Sequence, residues 1–479
     1  MKKLKTWIIA ISVICLAFIM ITTETRAESE YKPDKQTWNK HKNLYDDPNP
    51  FLKTYGWKQI IPAGEYAKLT FDIETMKNTW AKVVGFRSPD VVGKIAPEIK
   101  PGKYTYKDKE KYPGLKELMI PTHYERFNPG APPLALNFPE IEIVPTQQVY
   151  HSLPVANATL KNMGKTQLDD KGYMKDETYE SGFPFPQSSG KFKAQQIVYN
   201  WQERYNGGDQ FLGVEDIQTF DRKLKLSFSA DCTWEQLKLG GRCTIPPYGY
   251  YDKRAQEKKE IRVINFRYLS PRDQAGNVIW IINKRSLDEP NQLMVWLAQI
   301  RRVRKLSAAD SQDTAAGSNE IFDDFEGFNQ KLSPTVYPYK FELLAEREFL
   351  VPHHTTDGAE YVSSKGIELR NLRLERRPMY VVKMTQQDPT YVYGYRILYI
   401  DKETFAMHRI ETHDQKGRLW RSVDPIMAFI PEGGFIWPLY FLTWNYIDPQ
   451  VEYCRVYQIP VTWMTRNHLS LSQLEKKGK

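Results

Sequence analysis

The chain has 479 residues, a formal charge of +9 and a mean hydropathy of −0.58. That length suits one large or two medium domains, and a single long apolar run at the very start marks the rest as a water-soluble product rather than a membrane protein of several helices. The positive balance favours anionic surfaces such as phospholipid or lipopolysaccharide headgroups, but selects no partner by itself.

Residues 1–27 read as a targeting segment. Lys2, Lys3 and Lys5 form a basic start, Trp7 to Ile21 make an apolar run of about 15 residues, and Thr25-Arg26-Ala27 suits cleavage after Ala27. The run is shorter than the roughly 20 residues a membrane span needs; an uncleaved anchor is the other reading. Cys15 follows Val13-Ile14 without the small residues of a lipid-attachment box, so no lipoprotein is expected. Removing the segment takes Lys2, Lys3, Lys5, Arg26 and Glu24 and leaves about +6. An exported, periplasmic product sets nucleic acid aside as a partner.

Residues 28 to about 115 are rich in Lys, Tyr, Trp and Pro and carry weak periodicity; the first portion, 28–180, reads as an extended wrapping segment or a small subdomain. Within them, Met76, Trp80, Val83 and Val84 recur at helical spacing and predict a helix. "NPGAPPLALNFPE" at 128–140 is loop-like, because its prolines forbid regular pairing. "SGFPFP" at 181–186 is a rigid extended entry. Ala194, Ile197, Val198, Trp201 and Tyr205 then share one helical face, stopped by Gly207 and Gly208, and that aromatic stripe is expected to pack on a sheet.

Strand patterns follow. In "DRKLKLSFSA", Leu224, Leu226 and Phe228 alternate onto one face. "NVIWIINKRS" and "QLMVWLAQIRRVRKL" flank the turn "LDEPN". Both faces of the second are apolar, which predicts a central strand covered on both sides. "NEIFDDFEGFNQKL" reads as a short helix with acids near its start. "KFELLAEREFLVP" and "PMYVVKM" resume strand character. In "YVYGYRILYIDKETFAMHRIETHDQKGRLWR", Tyr393, Tyr395, Ile397 and Tyr399 point one way and Arg396, Leu398 and Ile400 the other, with turns at "DKET" and "DQKG". A last hairpin bends near Ile447-Asp448-Pro449-Gln450. The expected fold is α+β and mostly β: an antiparallel meander forming a large curved sheet with a few helices.

Cys232 and Cys243 flank Gly240-Gly241 in "CTWEQLKLGGRC" and are the disulfide candidates for an oxidising compartment, with buried thiols as the alternative. No Cys-x-x-Cys or nearby His supports a metal there. The basic run "RRVRK" offers Arg301, Arg302 and Arg304 to phosphate headgroups or an acidic partner, although Arg302 and Arg304 share a face that Arg301 does not. Ordinary surface charge explains it equally. His353, His354, His408 and His413 invite a metal reading, but a spacing of five sends the last two to opposite faces. Asp323, Asp324 and Glu326 invite an acid–base reading that helix-start acids explain more simply. There is no Gly-x-Ser-x-Gly elbow, P-loop or His-Glu-x-x-His, no catalytic residue is assigned, and no cofactor is implied.

Taken together, "SGFPFP", "WLAQIRRVRKL", "DDFEGFN", "ELLAEREFLVPHH" and "YIDKETFAMHRIETHDQKGRLW" resemble a bacterial domain-of-unknown-function family, number 1329. That family is similar to the LolA- and LolB-like outer-membrane lipoprotein-sorting proteins. The resemblance covers about residues 181–460 and implies an incomplete β-barrel wrapped around helices over residues 181–465, with a polar tail at 466–479. It further implies an apolar concavity for acyl chains, and a role beside an RND-type inner-membrane transporter and an outer-membrane β-barrel protein. The expectation is a non-enzymatic carrier of lipid or another hydrophobic small molecule, and aromatic placement offers Trp280, Trp296, Trp437 and Tyr440 as lining residues. The abundance of Tyr and Trp also suits a glycan-binding or glycan-active protein, and a structural adaptor of an envelope complex is the third reading.

Overall fold

Short polar turns between strand-length segments force neighbouring strands to run antiparallel, and that rule generates most of the molecule. The computed structural model describes residues 61–129, 136–223, 225–307, 310–315, 318–353, 360–363, 366–369 and 372–473; the targeting segment, Leu224, His354 and the last six residues lie outside them. Among the described residues fifteen strands join one sheet. They are β1 (Gly102–Thr105), β2 (Glu140–Ile143), β3 (Gln210–Phe220), β4 (Leu226–Lys238), β5 (Glu260–Tyr268), β6 (Val278–Lys284), β7 (Gln292–Leu297) and β8 (Arg302–Leu306). There follow β9 (Tyr339–Pro352), β10 (Arg373–Gln386), β11 (Tyr395–Asp401), β12 (Met407–His413), β13 (Leu419–Ile430), β14 (Phe435–Asn445) and β15 (Gln450–Pro460).

The order across the sheet is β1-β2-β10-β11-β12-β13-β14-β15-β3-β4-β5-β6-β7-β8, with β9 also paired to β10. Only β2 and β10 pair in parallel, and the terminal strands β1 and β8 do not meet. The result is a large, curved, mostly antiparallel sheet that stays open. Every residue of β6 and β14 is buried, because both faces of the sheet are covered.

One face, called inner below, packs on the helix α2 (Lys193–Gln202) and on the irregular stretch around Phe322–Gly327. Ala194, Ile197, Val198, Trp201 and Tyr205 are all buried, as the stripe predicts. The outer face packs on residues between 61 and 143 and on Val461, Met464 and Leu469. α1 (Ile73–Val84) packs in a third cluster, with Tyr150, Phe183, Phe405, Met427 and Phe429; it starts where the Asp72 side chain accepts from the Thr75 N–H and stops at Gly85, φ +87°. Its buried positions are the predicted Met76, Trp80, Val83 and Val84.

A charge cluster pins this segment to the sheet. Arg377 on β10 reaches Asp401 at 2.6 Å, Glu403 at 2.8 Å and Glu375 at 3.3 Å, and all four side chains are fully buried. Glu403 also accepts the backbone N–H groups of Ser88 and Val149, each at 2.9 Å, while the Trp80 indole donates to its carbonyl at 2.8 Å. The turn "DKET", polar by sequence, is therefore buried beneath the N-terminal segment.

Several local expectations are corrected. "QLMVWLAQIRRVRKL" is not one central strand: it breaks at Ala298–Arg301, where Arg301 takes φ +51°, into the hairpin β7–β8 at the sheet edge. Both faces look apolar because β7 buries Leu293 on one side of the sheet and Trp296 on the other, while β8 beyond it is mostly exposed. Leu226 is exposed, because the covered part of β4 begins only at Ala230. Phe322–Gly327 is a kinked 3₁₀ turn rather than a helix headed by acids. Tyr393 precedes β11 across Gly394, so it joins the side of Arg396 and Leu398 instead of opposing them. Cys232, Cys243 and Cys454 are all free and buried. Cys232 sits mid-strand in the inner-face core while Cys243 lies beyond the strand end in a different apolar cluster, so the loop between them spans a distance that a disulfide cannot close.

Candidate functional site

Alternation along paired strands decides what the inner face presents. Glu215 and Ile217 on β3 stand opposite Cys232 on β4 and Cys454 on β15 respectively, Trp234 on β4 stands opposite Phe266 on β5, and Ile264 opposite Ile281 on β6. Phe441 on β14 completes the row beside Cys454. These side chains, with Tyr268 and Glu452, wall a slot whose cover is formed by Ala315, Ser318, Glu320, Phe325 and Glu326. Space free of atoms amounts to ≈ 680 Å³ including its mouth, but the centres of water molecules reach only ≈ 50 Å³ of it. The slot is narrow.

The cover is anchored at both ends by hydrogen bonds from the sheet. Asp323 accepts from Tyr391 at 2.8 Å, Gln330 at 2.9 Å and Tyr337 at 3.0 Å; Asp324 accepts from Tyr393 at 2.6 Å and Arg396 at 3.0 Å. Burial raises the Asp323 carboxyl above its usual range despite those donors. Upstream, the Asn319 N–H donates to Glu452 at 2.8 Å, and Thr443 donates to Glu320. Glu326, at φ +56°, pairs with Arg204. The acids of "FDDFEGF" are thus fasteners for the cover, and the Tyr-rich opening of β11 exists to hold them.

Glu215 and Glu452 are more than nine-tenths buried. Burial first, and then the neighbouring Glu326 and Glu452, push Glu215 up to about 8, although the Cys454 thiol opposes the shift. Burial likewise raises Glu452 against its Asn319 and Thr219 hydrogen bonds, and burial with Glu452 raises Glu320 well above the carboxylate range. Burial therefore favours the neutral acid form of Glu215 near neutrality.

The residues singled out by aromatic placement lie elsewhere. Trp280, Trp296 and Tyr440 are buried in the outer-face core and do not wall the slot; the Trp280 indole donates to the Leu469 carbonyl at 2.7 Å. Trp437 belongs to the same core and borders a smaller cavity shared with Arg204 and Phe405. Parity is the reason: Trp280 is one residue out of phase with Ile279 and Ile281. Arg301, Arg302 and Arg304 lie on the exposed edge hairpin, where Arg304 meets Asp310 at 3.2 Å. Replacing Arg302 and Arg304 by glutamine should each change stability by less than about 0.5 kcal/mol, as read from urea midpoints. His353 and His408 are buried neighbours with ring centroids 5.5 Å apart, and His413 stacks on Tyr395 at 4.2 Å. Among the described residues no group of three or more His, Cys, Asp or Glu is placed to hold a metal ion. Glu215 and Glu452 were missed, although both left a trace: each is an acid in the apolar phase of a strand, between Gly213 and Ile217 in one case and before Cys454 and Val456 in the other.

Residues 122–445 match the model of a family described as "Protein of unknown function (DUF1329)". That match begins inside the N-terminal portion that the sequence motifs did not cover. A relative in Pseudomonas aeruginosa, the uncharacterized protein PA3922, is 23% identical over 323 residues, which are 64% of this chain and 67% of that protein. Among solved structures, a DUF1329 family protein from Desulfovibrio piger is similar at 14% identity and TM-score 0.42, covering 58% of this chain and 95% of that one. An outer membrane lipoprotein-sorting protein domain from Vibrio parahaemolyticus is similar at 12% identity and TM-score 0.41, over 58% and 97% of the two chains. The LolA superfamily protein NE2245 from Nitrosomonas europaea is similar at 14% identity and TM-score 0.36, over 58% and 98%.

Proposed function

The chain belongs to this family of unknown function, and from that premise we propose that it is a non-catalytic periplasmic protein that binds a hydrophobic molecule in the inner-face slot and carries it through the envelope. One observation carries the reading: a row of aromatic and aliphatic side chains on a curved, open sheet is covered by a kinked loop, not by a second sheet. A loop fastened at its ends can lift, whereas a second sheet would have to unpack. Burying alkyl chain supplies about 0.8 kcal/mol per CH₂, so a long acyl chain would return several kcal/mol for opening the cover. Delivery to or from an RND-type transporter and an outer-membrane β-barrel protein forms part of the proposal.

A glycan-active protein would set a sugar ring between two carboxyls and needs one of them ionised. Carboxyls do line this slot, but burial favours the protonated form of both Glu215 and Glu452, and a linear chain needs less opening than a ring.

The test is direct. Gentle purification from periplasm and mass spectrometry of an organic extract should reveal bound lipid. Ile281→Trp, which fills the slot from its sheet wall, should weaken binding of a fluorescent alkyl probe at least tenfold while the protein stays folded. Equal binding by the variant and the parent would remove the slot as the site.

A further inference from the structure

Accepting that reading, the polar lining of the slot narrows the class of guest. Glu215, Glu320 and Glu452 all wall it, and none makes an ion pair among the described residues. The cations around it have partners of their own: Arg204 pairs with Glu326, with Arg262 3.9 Å from the same carboxylate, and Arg421, whose charge also acts on Glu452, donates to Tyr393. Glu215, 5% exposed, accepts one side-chain hydrogen bond among the described residues, from the Cys454 thiol at 3.5 Å. On the same wall the Trp234 indole N–H, in a side chain 5% exposed, has no acceptor among the described residues. An apolar core would normally exclude or pair acids as buried as Glu215 and Glu452, and Glu320 beside them is half-buried.

We propose that the slot takes an alkyl amine, its chain along Trp234, Phe266 and Ile281 and its ammonium group among Glu215, Glu320 and Glu452. The argument is one of complementarity. An anionic headgroup would face three acids and no free cation. An alcohol would gain hydrogen bonds alone. An ammonium group lets buried acids ionise against an opposite charge in a low-dielectric site, where such pairs are strongest. A hydroxyl beside the amine would also accept from Trp234.

The experiment uses the exported protein after delipidation, at pH 7, and displaces a fluorescent alkyl probe with dodecylamine, dodecanol or dodecanoate below their micelle concentrations. Dodecylamine should bind at least tenfold more tightly than dodecanol, and dodecanoate more weakly than either. Glu215→Gln should bring the amine-to-alcohol ratio towards one. Ile281→Trp should weaken the amine and the alcohol alike, separating the slot from cation binding at the surface. Equal affinities for the three probes, or dodecanoate as the tightest, would overturn the amine assignment and leave alkyl binding standing. No displacement by any probe would overturn both.

Discussion

Arg377→Met should cost roughly 3–5 kcal/mol of stability, the range expected when one partner of a buried ion cluster is removed. Three carboxyl groups converge on this guanidinium with no exposure to water. Burial alone would raise Asp401, yet Arg377 draws it below the usual range; Glu403 stays raised even with that help. Without the guanidinium, all three acids are left desolvated together. Because Glu403 also receives the Ser88 and Val149 N–H groups and its carbonyl receives the Trp80 indole, the loss should reach the docking of the N-terminal segment. The checks are a urea midpoint and limited proteolysis, with early cleavage between residues 85 and 150. Adding Glu403→Gln to the variant should recover part of the loss. A midpoint change worth less than about 1 kcal/mol would mean the cluster is not a structural anchor.

Glu215→Gln should do the reverse and stabilise the protein, increasingly so as the pH rises. Glu215 titrates near 8 in the folded protein against an ordinary 4.5. Between those values the folded state keeps a proton that the unfolded state releases, so stability falls as pH rises through the window. Each pH unit of that window is worth up to about 1.4 kcal/mol, and the gain in the amide variant should be on the order of 4 kcal/mol at pH 8 and near zero at pH 4.5. The groups interacting with Glu215 include Glu320, Glu326, Glu452, Cys232, Cys454 and Tyr268, none of them cationic. At the acid end the sign reverses: burial holds His151 and His408 down to about 4, so the unfolded state gains protons first and stability falls as pH drops from 6.5 to 4. Subtracting the variant's stability curve from that of the parent isolates the carboxyl from the histidines. A difference that stays flat between pH 5 and 8 would show that Glu215 ionises freely, and the slot's acidic character would fall with it. A stabilising amide at this position would also fit a binding site that keeps a costly group for its guest.

How much of this was legible depends on the range of the signal. The helix over residues 73–84, the stripe on α2 and the meander from β10 to β15 could be read because each depends on neighbours a few positions away: period, cap, turn. Errors arose where partners are distant in the chain. "DKET" looks like an exposed turn until residues 80, 88 and 149 close over it, and "FDDFEGF" looks like a helix start until Tyr391, Tyr393 and Arg396 claim its acids. The basic run was misplaced for a local reason, a reversal at Arg301 that the pattern does not announce.

By itself, then, the order of residues determined that this would be a large, mostly antiparallel sheet with few helices, since turn chemistry and two-residue alternation act locally along the backbone. Which face of that sheet holds the slot was decided only in three dimensions. Both faces are covered, so Trp280 and Ile281 are equally apolar neighbours in one dimension, and only the packing of the N-terminal segment on one side and of a kinked loop on the other tells them apart. The acids that give the slot its chemistry follow the same rule, because burial is set by what folds over a side chain and not by the residues beside it.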